Sequence, residues 1–112
     1  MKCYVNEAVI SEKVSVAATM FSRAKGLLGK KELPQNESIL LTPCNQVHTY
    51  FMLFTIDCVF LDSNDKVIHL IERLKPWSVS SRIPKATDVL ELPEGSISKF
   101  SIYKNQYLSF KD

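Results

Sequence analysis

Two of the three cysteines, one of the two histidines and two aspartates fall within the stretch Pro43–Asp62. Cys44 and His48 are the first pair whose types could do chemistry. A cysteine attacks as its thiolate, and a nearby imidazole can take the proton. Pro43 ends the preceding apolar run, so both residues fall in a loop at a strand end, where sites are often built. Against that stands the plain alternative of Cys44 as a small buried apolar residue. Adding Cys58 and His69 completes the two thiolates and two imidazoles that tetrahedral zinc accepts. The spacings match no zinc finger or ribbon, so no metal and no cofactor is expected.

Asp57 interrupts an apolar run between Ile56 and Cys58. A buried carboxylate needs an ion partner or several N–H donors. Arg23 and Arg82 are the available guanidinium partners, with Arg23–Asp57 the expected pair and Glu91 a second acidic candidate. Asp62 begins the turn Ser63-Asn64-Asp65, where a side-chain cap on the following amides is its usual role. Phe51, Met52 and Phe54 are placed to line a pocket mouth, with Trp77, the only tryptophan, as an aromatic wall. The same residues serve equally well as core. His69, in an apolar strand, reads as a core histidine.

The elements that must position these groups are mostly strands. Residues 2–5 and 8–18 are rich in Val and Ile, and Val14 and Val16 alternate with polar neighbours. Thr19 is placed to cap a helix over 20–29, where Met20, Ala24, Leu27 and Leu28 recur at helical spacing and Gly29 ends the run. Ile39–Leu41 and 56–61 read as buried strands, with 66–74 as hairpin partner of the second. Residues 75–85 read as an irregular loop, Val89–Leu92 as a strand stopped by Pro93-Glu94-Gly95, and 106–110 as the last strand. The pattern predicts a mainly β fold, a compact antiparallel β-sandwich or partial barrel with one or two short helices.

A chain of 112 residues is one domain, 1–112, able to close a single core. Hydrophobic residues at 46% and charged residues at 23% exclude disorder. A net charge of +2 without a clustered basic face argues against a nucleic-acid partner. No apolar run approaches the ~20 residues that span a bilayer, and the N-terminus lacks a signal-peptide core. The expectation is a bacterial, cytoplasmic protein with no membrane span, its cysteines reduced thiols.

Several separated motifs agree, in order, with a known family. Arg23-Ala-Lys-Gly26-Leu27-Leu28-Gly29-Lys30, Pro43-Cys44, Val47-His48-Thr49-Tyr50-Phe51-Met52 and Ile56-Asp57 through Phe60-Leu61-Asp62 resemble the family of domain of unknown function 192. Pro76-Trp77 and Val89–Gly95 extend the resemblance, which spans roughly residues 17–108. It implies a mainly β domain with short helices and no established activity. Members occur as cytosolic single domains and as secreted or lipid-anchored ones, and the Pro-Cys/Val-His-Thr subgroup implies pilus or secretion machinery as a partner. The family's motif residues carry over to Arg23, Gly26, Met52, Asp57, Asp62, Leu90 and Glu91. The chain departs from the pattern at Leu53, where Arg or Lys is usual, at Thr55, often Pro, at Cys58, and at Lys104-Asn105, which replaces a Gly-Asp turn.

The leading expectation is a non-catalytic accessory domain that binds a small molecule or a protein, with Arg23, Phe51, Met52, Asp57, Trp77 and Glu91 as its binding residues. The alternatives are a thiol-dependent enzyme with a Cys44/His48 dyad, and a metal-binding or purely structural domain.

Overall fold

The computed structural model describes residues 1–18 and 31–112. The helix expected over 20–29, its Thr19 cap and Arg23 lie outside the described residues.

Eight strands follow in order: β1 (Lys2–Val5), β2 (Ala8–Ser11), β3 (Lys13–Ala17), β4 (Glu37–Leu41), β5 (Ile56–Leu61), β6 (Val67–Leu74), β7 (Asp88–Pro93) and β8 (Leu108–Lys111). They form a three-stranded sheet in the order β2-β1-β8 and a five-stranded sheet in the order β3-β4-β7-β5-β6. Every pairing is antiparallel except β3 with β4. Neither sheet closes on itself among the described residues, so the fold is a two-sheet, mainly β sandwich.

The segment 8–18, expected as one strand, is two. Glu12 separates them, and its N–H and that of Lys13 both donate to the Asn36 carbonyl. The break lets β2 stay with β1 while β3 joins the larger sheet. A continuous β-rich composition carries no signal of such a change of sheet. The short helix α1 (Ser96–Lys99) is likewise not predicted by the sequence pattern. Four residues are too few to show a helical period, and the visible mark is Gly95, at φ 89° before the first turn. Asn105 takes a left-handed φ of 77°, as its residue type permits.

The five-stranded sheet is covered on both faces. Val59, Leu61, Leu90 and Leu92 face the smaller sheet and meet Cys3, Val5, Ile10 and Leu108, with Ile97 and Ile102 closing one end. Ile39, Leu41, Ile56, Cys58, Phe60 and Val89 face the other way, under Leu33, Val47, Met52 and Ala86. That double burial explains why β5, with every residue buried, shows no polar–apolar alternation. Among the described residues no helix is long and apolar enough to cross a membrane.

Candidate functional site

Two segments, 44–52 and 75–83, run side by side over the second face of the larger sheet. The sequence pattern predicts loops here, yet the two segments pair. His48 and Val79 form an antiparallel bridge. The Thr49 N–H donates to the Ser78 carbonyl and the Ser80 N–H to the Val47 carbonyl, both at 2.8 Å. Further along, Ile83 N–H reaches the Asn45 carbonyl at 2.8 Å and Cys44 N–H the Thr87 carbonyl at 2.8 Å. Val47, Thr49 and Ser80 point inward and are buried, whereas Gln46, Tyr50, Trp77 and Val79 point outward and are exposed. The segments form an irregular two-stranded ribbon.

Thr49 holds the ribbon's end together. Its hydroxyl donates to the Lys75 carbonyl at 2.5 Å and accepts the Ser78 N–H at 2.9 Å. Its carbonyl accepts from Trp77 N–H at 3.0 Å and from Met52 N–H at 3.2 Å. Ser80 acts similarly, its hydroxyl accepting the Val47 N–H at 2.9 Å and donating to the Ser81 carbonyl. Bonds from buried hydroxyls to backbone groups replace the regular ladder that a Pro-interrupted sequence cannot complete.

This fastening sets two tight turns beside each other, one through Tyr50-Phe51 and one through Pro76-Trp77. Phe51 and Trp77 both have left-handed backbones, at φ 67° and 60°. Their side chains remain 65% and 61% exposed. The two rings meet edge to face with centroids 4.8 Å apart. Tyr50 lies 6.2 Å from Trp77 and stacks on His48 at 4.7 Å. Leu53 and Val79 add exposed aliphatic surface.

The other expected residues lie elsewhere. Met52 is buried in the core beneath the ribbon. Asp57 is fully buried at the start of β5, and its two oxygens accept the Arg73 N–H at 3.0 Å and the Ile97 N–H at 2.8 Å. Backbone donors thus hold this carboxylate among the described residues. Glu91 is fully buried as well, opposite Cys58 and Ile39. Asp57 stands opposite Leu92, so alternation places Asp57 and Glu91 on opposite faces of the sheet. One cation on one face therefore cannot serve both. Asp62 fills its expected role, its Oδ1 accepting the Asn64 and Lys66 amides at 2.8 and 3.0 Å.

Cys44 is half-buried at the far end of the ribbon, and its thiol donates to the Gln46 carbonyl at 3.1 Å. Cys58 is fully buried on β5, and His69 on β6 packs edge-on against Phe60 at 5.4 Å. No three His, Cys, Asp or Glu side chains among the described residues are grouped to hold a metal. Cys3 lies in the core between the sheets, where burial, then the Asp65 carboxylate, pushes its thiol up to about 12.

Thr49 and Tyr50 stand in the sequence only as members of the family motif, with no role of their own, and Ser80 carries no signal at all. The alternation Val47-His48-Thr49-Tyr50 was the available signal, a strand-like pattern inside an apparent loop.

The family described as Uncharacterized ACR (DUF192) matches residues 4–110 of this chain. A UPF0127 protein of the archaeon Pyrococcus horikoshii is 34% identical over 88 residues, spanning 74% of this chain and 74% of that protein. Another, from Thermococcus sibiricus, is 35% identical over 91 residues, spanning 76% of this chain and 57% of that protein. A crystal structure of a Novosphingobium aromaticivorans protein of unknown function superposes with TM-score 0.75 at 18% identity. It covers 87% of this chain and 74% of that one.

Proposed function

We propose, from the premise that this chain belongs to the family of domain of unknown function 192, that it is a non-catalytic accessory domain that docks a protein partner through the Tyr50-Phe51 and Pro76-Trp77 turns. The observation that carries this reading is the pairing of exposure with backbone strain. Two large aromatic residues occupy left-handed positions where glycine or asparagine costs less, and both leave most of their surface in water. Neither residue is there for its backbone, nor chiefly for the core. Exposed aromatics held on a fixed scaffold are the usual anchors of a binding surface. Exposed Tyr50, Leu53 and Val79 in the same two segments add to the apolar surface they offer.

The thiol-enzyme alternative rests on Cys44, which lies at the far end of the ribbon from the exposed aromatics, with its thiol on the Gln46 carbonyl. The binding reading is therefore the better supported.

The test is a selection of phage-displayed random short peptides on the protein, run in parallel on a Phe51→Gly, Trp77→Gly variant. Glycine suits both left-handed positions, so the variant keeps its fold. The expected result is a set of clones that bind the wild type and lose binding to the variant. Their synthetic peptides should shift the emission of Trp77, the chain's only tryptophan. Clones that bind both proteins equally would refute the assignment of the site.

A further inference from the structure

Exposure alternates along 75–81. Lys75, Trp77, Val79 and Ser81 face solvent, while Pro76, Ser78 and Ser80 turn inward or are only partly exposed. This outward track begins at the Pro76-Trp77 turn and continues along the strand of the ribbon that pairs with 45–49. Its order is cation, aromatic, aliphatic and hydroxyl, followed by exposed Arg82. Tyr50 widens the track beside Trp77, and half-buried His48 lies across from Val79.

Charge along the track has one sign. Neither 42–56 nor 75–87 contains an aspartate or glutamate, whereas 75–87 carries Lys75, Arg82 and Lys85. All three are exposed, and no carboxylate among the described residues forms an ion pair with them. Arg73, by contrast, is paired with Glu94 at 3.4 Å, and Lys2 with Glu12 at 3.3 Å.

We infer that this track docks an extended acidic polypeptide segment, with an apolar side chain of the segment seated between Phe51, Trp77 and Val79 and its carboxylates over Lys75 and Arg82. The inference rests on the binding reading above and names the chemistry of the partner. Charge complementarity selects an anionic occupant. In sequence the exposed cations lie on either side of Trp77 and Val79, an order that the alternate side chains of an extended segment can meet. A nucleic acid would need a broader basic face than Lys75, Arg82 and Lys85 supply on a chain of net charge +2. A bilayer would need the cations gathered around the two turn tips, and Arg82 and Lys85 instead lie back along the ribbon near Asn45.

The peptide selection tests this by composition and by charge. Clones that depend on Phe51 and Trp77 are expected to be enriched in Asp and Glu around an aromatic or aliphatic residue. Their synthetic peptides should lose about tenfold or more in affinity on Lys75→Glu, Arg82→Glu, and should weaken steeply towards ~1 M salt, where the Debye length is only about 3 Å. The milder Lys75→Gln, Arg82→Gln variant should fall in between, with unfolding midpoints checking that all variants fold. Clones that need the aromatics but show no acidic bias, or ignore the charge reversal, would overturn this inference and leave the binding reading standing. Aromatic-dependent binding of phosphatidylserine vesicles or of oligo(dT), with no dependent peptide, would overturn it in favour of a lipid or nucleic-acid surface. A selection without any aromatic-dependent clone, together with no vesicle or oligonucleotide binding, would remove both readings.

Discussion

Asp57→Asn is the sharpest probe of how the fold supports the ribbon. The carboxylate has no solvent exposure, and each oxygen accepts one backbone N–H, from Arg73 and from Ile97. Asparagine has nearly the same shape but only one acceptor oxygen; its amide nitrogen would face an N–H donor. One bond to a charged acceptor, worth about 1.5–3 kcal/mol, is lost, and the other is weakened to a neutral one. The abandoned donor adds about 1 kcal/mol or more, giving an expected loss of roughly 2–4 kcal/mol. For a domain whose whole stability is about 5–15 kcal/mol, that is a large fraction. Urea unfolding would measure the loss, and native-state amide exchange would place it, with the Arg73 and Ile97 amides exchanging faster. Arg73 is followed closely by the Pro76-Trp77 turn, and Asp57 directly follows the 42–56 segment, so the loosening should reach the ribbon. A change in stability below about 0.5 kcal/mol, with both amides still protected, would refute the assignment of Asp57 as their anchor.

Thr49→Val keeps the shape but removes the hydroxyl that joins Lys75 and Ser78; it should cost about 1–3 kcal/mol by urea unfolding and lower the steady-state anisotropy of Trp77. Asp65→Asn should raise stability at neutral pH. Burial, then the Asp88 and Asp62 carboxylates, raises the Asp65 pKa above 3.8 in the folded protein, so its charged form opposes folding. The gain is therefore full above that raised pKa, fades as pH falls through it, and is absent below 3.8; solvent screening keeps it to a few tenths of a kcal/mol, read from urea midpoints across pH. Alkylation followed by mass spectrometry should label half-buried Cys44 in the native protein, and Cys3 and Cys58 only in denaturant, since both are buried. Native labelling of Cys58 would contradict its place inside the five-stranded sheet.

The strands were legible because burial leaves a mark on composition. Ile56–Leu61, its turn at Asp62 and its hairpin partner follow from an apolar run, a turn cluster and a second β-rich run. What stayed hidden depended on partners distant in sequence. Glu12 divides two strands through the Asn36 carbonyl, and Asp57 finds its donors at Arg73 and Ile97. Within the candidate site, Phe51 and Trp77 stood out as large aromatics in apparent loops, yet type alone left core and surface equally open. Their exposure is decided by Thr49 and Ser80, small polar residues whose importance lies wholly in which backbone groups they reach.

That arrangement also bears on how the two turns could bind tightly. A loop that must be ordered on contact loses about 0.5–1.5 kcal/mol for each immobilised side chain. Here the ordering cost falls within folding itself. The Thr49 and Ser80 hydroxyls fix the ribbon, and Asp57 fixes the β6 end from which the second turn departs. The left-handed residues at Phe51 and Trp77 oppose those bonds by about 1–2 kcal/mol each. A purely structural ribbon would relieve that opposition with glycine at both positions. Keeping two rings there makes sense if a partner meets a surface already in its bound form, so partner-free and partner-bound protein should show the same backbone shifts in 44–52 and 75–83. Large chemical-shift changes in the Thr49 and Ser78 amides on binding would contradict a pre-formed surface.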